Sequence, residues 1–171
     1  MTNSFVEFSS ERLFYTSLQV ADIGDLFAFL GDPVAMRFTH CDKTIDDCER
    51  RLSAFEARRK SDGFAPWVIR LRQDQRIIGW GGLYIDPFDP DWGPELGYFF
   101  NPDFWGQGYA TELAKTAIDH ARHQTAIPVL TAFAHPENRS SAKLLRRLGF
   151  EKLGFVRQMN RDRFSMVLKP A

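Results

Sequence analysis

The period of the apolar positions changes several times along this chain, and each change marks an element. Residues 13–20 are mostly apolar and read as a strand feeding a helix over 21–30, which Gly31-Asp-Pro33 interrupts; a short helical turn through Met36 follows. Thr44-Ile-Asp-Asp47 has the form of a capping box. Behind it Cys48, Leu52 and Phe55 repeat at helical spacing, with Arg50, Arg51, Arg58, Arg59 and Lys60 turned to water. Trp67, Ile69 and Leu71 alternate with Val68, Arg70 and Arg72, and after the turn Gln73-Asp-Gln75 the run 76–85 returns as the second strand of a hairpin. Prolines and aspartates make 86–94 a loop, and 95–100 is an aromatic strand.

In the C-terminal half, Leu113, Ala114, Ala117, Ile118 and Ala121 mark a helix reaching about His123, with His120 and His123 on its polar side. A strand over 128–134, a helix over 138–148 and strands over about 151–158 and 163–168 follow, the last two joined by a turn at Asn160-Arg-Asp162. Strands paired by short turns with helices between them predict one α/β (α+β) domain over 1–171, a mixed, mostly antiparallel sheet of about six to seven strands with helices on both faces.

Composition narrows the function classes. With 22 basic and 22 acidic residues the formal net charge is zero, so no general attraction to nucleic acid or to an anionic membrane is expected. No run of 18 apolar residues occurs, and the N-terminus has no basic segment leading into an apolar one, which predicts a cytoplasmic protein. Cys41 and Cys48 are the only cysteines, too few for a disulfide framework, and no Cys or His spacing suggests a metal.

The chemistry concentrates in Pro102-Asp-Phe-Trp-Gly-Gln-Gly-Tyr-Ala-Thr-Glu112, where two glycines sit in a turn between the aromatic strand and the helix. Free backbone N–H groups converge at such a helix start, where the dipole favours an anion such as phosphate. No Gly-Lys-Ser or Gly-Lys-Thr follows Gly108, which argues against a P-loop. Thirty residues later comes Asn138-Arg-Ser-Ser141, ending in Leu148-Gly-Phe150.

Together the two segments resemble the GNAT superfamily of acetyl-CoA-dependent N-acetyltransferases. The pattern Trp-Gly-x-Gly-Tyr-Ala-Thr-Glu, and the opening Ser10-Glu-Arg-Leu13, look like the branch of ribosomal-protein alanine N-acetyltransferases. The resemblance implies that the strands from Glu95 and Val129 run parallel and splay apart to admit the pantetheine arm of acetyl-CoA. It implies that backbone groups of Gly106, Gln107, Gly108, Tyr109, Ala110 and Thr111 bind the pyrophosphate. Main-chain groups beside Phe99 and Phe100 would hold the pantetheine and polarise the thioester, and Asn138 and Ser141 would meet the arm and the sulfur. Many relatives carry Gln or Arg at Trp105, and many carry a catalytic tyrosine where this chain has Leu145. The general acid is therefore open between Ser141, a water and none. Glu95 is the candidate general base; its alternative is an exposed strand carboxylate.

The acceptor implied is a primary amine, with a protein or peptide α-amino group first. A small-molecule amine is the alternative, and a noncatalytic acyl-CoA-binding module a further one. Asp86, Asp89, Asp91 and Glu95 among aromatic residues suit a cationic acceptor or a solvated loop. Monomer and homodimer both stay open.

Overall fold

Two hydrophobic clusters, one on each face of a sheet, account for the positions of the helices. The computed structural model describes residues 7–169; residues 1–6, read above for a leader, lie outside them. The elements run β1 (Glu7–Ser9), β2 (Leu13–Thr16), α1 (Ile23–Leu30), α2 (Ile45–Asp62), β3 (Trp67–Leu71), β4 (Ile77–Ile85), β5 (Pro94–Phe100), α3 (Tyr109–Gln124), β6 (Val129–Ala134), α4 (Arg139–Arg147), β7 (Glu151–Val156) and β8 (Arg161–Val167). Among the described residues the strands form one sheet in the order β1-β2-β3-β4-β5-β6-β8-β7. Every neighbouring pair is antiparallel except β5 with β6.

Eight strands stand where six to seven were expected. The added strand is β1, whose three residues are too few to show a period; it is recognisable only by its pairing, Glu7 opposite Thr16. β2 stops at Thr16, short of the predicted 13–20, because a 3-10 turn begins at Val20 and Asp22 accepts from the Gln19 N–H. The last turn is also displaced. Asn160 adopts a left-handed conformation at φ 52°, which closes the turn before Arg161, so Arg161 and Asp162 belong to β8.

One face of the sheet packs α3 and α4, where Leu113, Ala117 and Leu145 meet Leu96, Leu130 and Phe164. The other packs α1 and α2, where Leu26, Leu52 and Phe55 meet Val68 and Trp80. Fully burying such a side chain contributes about 1.5–3 kcal/mol. The Thr44 hydroxyl accepts from the Asp47 N–H as the cap of α2, as the capping-box pattern predicts, and Gly63 ends that helix with φ 83°.

β5 and β6 share a single aligned pair, Glu95 opposite Thr131, and then separate. Their outer neighbours keep long ladders, β4 with β5 from Ile85 to Gly79 and β6 with β8 from Val129 to Ala134, so each half-sheet stays whole while the gap opens. Because side chains alternate along a strand, Glu95, Gly97 and Phe99 face α1 and α2, whereas Leu96, Tyr98 and Phe100 face α3 and α4.

Candidate active site

The glycine turn is held open by its backbone and clamped from outside. Gly106 (φ 72°) and Gly108 (φ 83°) both occupy the left-handed region, and Gly108 caps α3 without a side chain. The first helical N–H bonded back to the turn is that of Glu112, which donates to the Gly108 carbonyl, so the N–H groups of Tyr109, Ala110 and Thr111 remain for an anion. Trp105, 42% exposed, donates its indole N–H to the Phe100 carbonyl at 2.9 Å and pins the loop to the end of β5.

The clamp is Arg12. Its Nη1 donates to the Gln107 carbonyl at 2.8 Å, its Nε to Glu112 Oε2 at 2.8 Å, and its guanidinium stacks 4.5 Å from the centre of the Tyr109 ring. Ser10 Oγ and the Arg12 N–H complete the carboxylate, donating to Glu112 Oε1 at 2.6 and 2.7 Å. Burial alone would raise the Glu112 carboxyl, yet these hydrogen bonds and the Arg12 charge hold it below its ordinary range. Thus the opening Ser-Glu-Arg and the Thr-Glu of the glycine motif are two halves of one joint. Both were singled out as motif residues, and neither Arg12 nor Glu112 was assigned a role, because their separation of 100 positions hides the pairing.

Below the turn a cleft of about 1470 Å³ passes through the gap between β5 and β6. Glu95 lines it and is only 5% exposed, which removes the exposed strand carboxylate as a description. Burial, then the nearby Asp86 carboxylate, pushes its carboxyl up to about 8, opposed by a hydrogen bond from the Tyr84 hydroxyl facing it across the ladder. Burial and the same two carboxyls raise Tyr84 well above its ordinary value, so it stays a donor. On the opposite face, Tyr98 Oη lies 2.8 Å from Ser141 Oγ, and burial lifts the phenol to about 12.

Tyr98 is the hydroxyl the sequence reading missed at this site. Its offset of three from Glu95 does put it on the other face, but only packing brings α4 to it. Leu145, at the position where many relatives have a tyrosine, is fully buried in the core. Asn138 Oδ1 accepts from the Ser141 N–H at 3.2 Å as the cap of α4, leaving the amide nitrogen unused by that bond. Of the two aromatic positions Phe100 is buried in the α3 face, while Phe99 stacks on Trp80 at 5.8 Å; both line the cleft. Gly106, Gly108, Tyr109, Ala110, Thr111, Asn138 and Ser141 line it too, whereas Gln107 is exposed and does not.

On the α1/α2 face the cleft wall is built from distant segments. The Asp42 carboxylate, wholly buried, takes both forks of Arg51 at 2.7 and 2.8 Å, and Phe38 stacks on His135 at 5.1 Å. Of the four acidic rim residues only Asp86 and Glu95 line the cleft; Asp89 accepts from the Trp92 indole N–H at 2.9 Å. His120 is not on a polar face: it packs between Phe8 and Trp67, and burial lowers its imidazole. Among the described residues no group of three or more His, Cys, Asp or Glu could hold a metal, and no helix is long and apolar enough to cross a membrane.

A parallel pair that splays beside a glycine-led helix start, with a buried carboxyl on one side and a hydroxyl pair on the other, agrees with what the family model detects. The acetyltransferase (GNAT) domain model matches residues 12–151. The chain belongs to the GNAT acetyltransferase family. It is a GNAT N-acetyltransferase by that match and by its relatives. A ribosomal-protein-S5-alanine acetyltransferase from Vibrio fischeri superposes with a TM-score of 0.77 at 20% identity, covering 96% of this chain and all of that one. RimL, a ribosomal α-N-protein acetyltransferase in complex with coenzyme A, gives 0.78 at 14% identity over 95% and 98% of the two chains. An L-methionine sulfoximine/L-methionine sulfone acetyltransferase of Pseudomonas paraeruginosa is 27% identical over 148 residues, 82% of this chain and 81% of its own. Within the GNAT fold, the expected parallel pair of strands from Glu95 and Val129 is therefore observed, with helices on both faces of the sheet.

Proposed function

We propose that this GNAT enzyme moves acetyl from acetyl-CoA to a primary α-amino group of a protein or peptide, by direct attack. The observation that carries the reading is the buried Glu95 carboxyl at the head of the splay, on the face opposite the Tyr98–Ser141 pair. An α-amine has a pKa of about 7.7–8.0, close to the value of about 8 held by Glu95. A proton can pass between matched groups at little cost, whereas a lysine near 10.4 would hold its proton against this base.

The cofactor roles follow from the same geometry. The backbone N–H groups of Gly106 to Thr111 receive the pyrophosphate; a few hydrogen bonds to charge, each about 1.5–3 kcal/mol, suffice for micromolar affinity. The facing edges of β5 beside Phe99 and Phe100, unpaired beyond Glu95, receive the pantetheine, with Asn138 and Ser141 at its inner end. The amine attacks in its neutral form, and ionised Glu95 takes a proton from its nitrogen as the carbon–nitrogen bond forms. As the carbon–sulfur bond breaks, Ser141 gives a proton to the sulfur and takes one from Tyr98, which water reprotonates, while Glu95 releases the proton it took from the amine to solvent.

A small-molecule acceptor is the second reading, favoured by the relative that acts on amino-acid derivatives. Thiol release from acetyl-CoA with peptides beginning in Ala or Ser, free amino acids and polyamines separates the two. In the same assay the wild-type kcat/KM should rise with pH through about 8, where the Glu95 carboxyl ionises. Glu95→Gln should lose about 10²-fold in turnover at pH 7 while binding CoA normally. Equal wild-type and Glu95→Gln rates across pH 6.5–9.5 would remove the base from this account.

A further inference from the structure

Two arginines on β8 stand on the Glu95 face with no counterion. Thr131 aligns with Glu95 on one side and with Ser165 on the other, so Ser165, Arg163 and Arg161 share the face that carries Glu95. Among the described residues no ion pair involves either arginine. Arg161 lines the cleft; its Nη1 donates to the carbonyls of Met159 and Asn160 at 3.2 and 3.1 Å, which leaves its remaining N–H groups unbound. Arg163 lies over the Trp92 ring at 5.2 Å, and its buried Nε has no partner. Asp162, between them, points to the other face and binds Lys152 at 2.8 Å. Burial lowers the Arg161 guanidinium, the direction expected of a cation removed from water without an anion beside it.

The rest of this wall leans the same way. Asp42 is matched by Arg51 and Asp47 by Arg50, so Arg37, Lys43 and Arg161 face the cleft against Asp86 and a Glu95 that is mostly protonated at pH 7. An acceptor entering here meets the Glu95 carboxyl at one end and an unmatched guanidinium at the other. We propose that the acceptor carries a carboxylate which Arg161 binds, and that this carboxylate belongs to the third or fourth residue of a peptide whose α-amine reaches Glu95.

Spacing selects the class. Arg161 is four residues from Ser165, so it lies on the order of 13 Å along the sheet from the Glu95 row at about 3.4 Å per residue. The carboxylate of a free α-amino acid is one carbon from its amine and does not span that interval. An acidic side chain three or four positions into an extended peptide does. Arginine suits the task because its planar fork can take a carboxylate in two parallel hydrogen bonds.

This inference rests on the peptide reading above, and the test separates the two. Thiol release would be measured for Ala-Ala-Glu-Glu and Ala-Ala-Gln-Gln peptides of equal length, with wild type, Arg161→Gln and Arg161→Lys, each first shown by calorimetry to bind CoA. The wild type should prefer the acidic peptide by about tenfold or more in kcat/KM, mainly through KM. Arg161→Gln should bring the acidic peptide down to the neutral one while leaving the neutral peptide unchanged, and Arg161→Lys should restore part of the preference. Equal use of both peptides by the wild type, or a preference that survives in Arg161→Gln, would overturn the anion site while the peptide reading stands. Turnover of free amino acids or polyamines with no peptide accepted would overturn both.

Discussion

On the proposed reading, the two sides of the cleft would recognise their ligands by different physical means. The pyrophosphate end of the proposed cofactor side is one continuous segment whose polar work would fall to backbone N–H groups at a helix start, with Arg12 and Glu112 bracing the turn from outside. The acceptor side is assembled from the 35–43 loop, α2, β4, β5 and the β8 start, and it holds buried charge: Glu95, and the Asp42–Arg51 pair. Dipoles of the peptide group do not titrate. Buried carboxyls do, so the acceptor side should carry the enzyme's pH dependence and the cofactor side should be indifferent to pH.

The largest effect to test this contrast concerns Glu95. Its carboxyl rises from an ordinary 4.5 to about 8 on folding, so the folded state holds a proton that the unfolded chain has lost. The stability this contributes is complete below about pH 4.5 and is lost as pH rises through 8. Glu95→Gln carries no such titration; relative to wild type it should gain stability between pH 5 and 8, by a few kcal/mol, and level off above pH 8.5. Denaturant titrations at pH 5.5, 7 and 9 measure it. A constant difference across that range would show that Glu95 is solvated. Next in size is Arg51→Leu, which leaves the Asp42 carboxylate buried without its main partner and should cost about 3 kcal/mol, seen as a Tm lower by roughly 6–12 °C. Affinity for CoA, held by the other side, should change less than about twofold in the folded fraction.

A break on the cofactor side should show the reverse signature. Gly108→Val places a branched side chain at φ 83°, a conformation β-branched residues avoid, and its Cβ would stand 3.4 Å from Arg12 Nη2. CoA binding by calorimetry should weaken by at least about tenfold, or 1.4 kcal/mol, with the pH profile of the residual activity unchanged. Unaltered affinity in a folded protein would remove the turn as the pyrophosphate site.

The same contrast separates what the amino-acid pattern specifies locally from what only the tertiary fold brings together. The glycine turn and the helices on both faces of the sheet are encoded by residues a few positions apart, and each is found where the pattern put it. Glu95 could be placed on its strand, but its burial, the hydrogen bond from Tyr84 and the nearby Asp86 charge come from the tertiary fold. Tyr98 and Ser141 are 43 positions apart, and Arg12 and Glu112 are 100 apart, so no local period records either pairing. Arg161 was assigned to a turn because Asn160 and Asp162 are both good turn residues; the left-handed φ at Asn160 decided between them. A one-residue ambiguity of that kind moves a side chain from a solvated tip onto the wall of a cleft.

The smallest expected effect lies where the two sides meet, at the hydroxyl pair. A thiolate with a pKa near 8.5 leaves without much help, so protonation by Ser141 can be worth only a modest factor, and Ser141→Ala should lower turnover by about tenfold or less. Tyr98→Phe removes the group that would resupply the proton; because burial holds Tyr98 near 12 it is a weak acid, and on the proposed relay it would act through Ser141. If the two form one relay, the double variant should be no slower than the slower single variant, since each substitution already breaks the chain. Independent, multiplying losses would mean that the hydroxyls act separately. A rise in the KM for acetyl-CoA with turnover untouched would leave Ser141 as a binding residue and Tyr98 as its support.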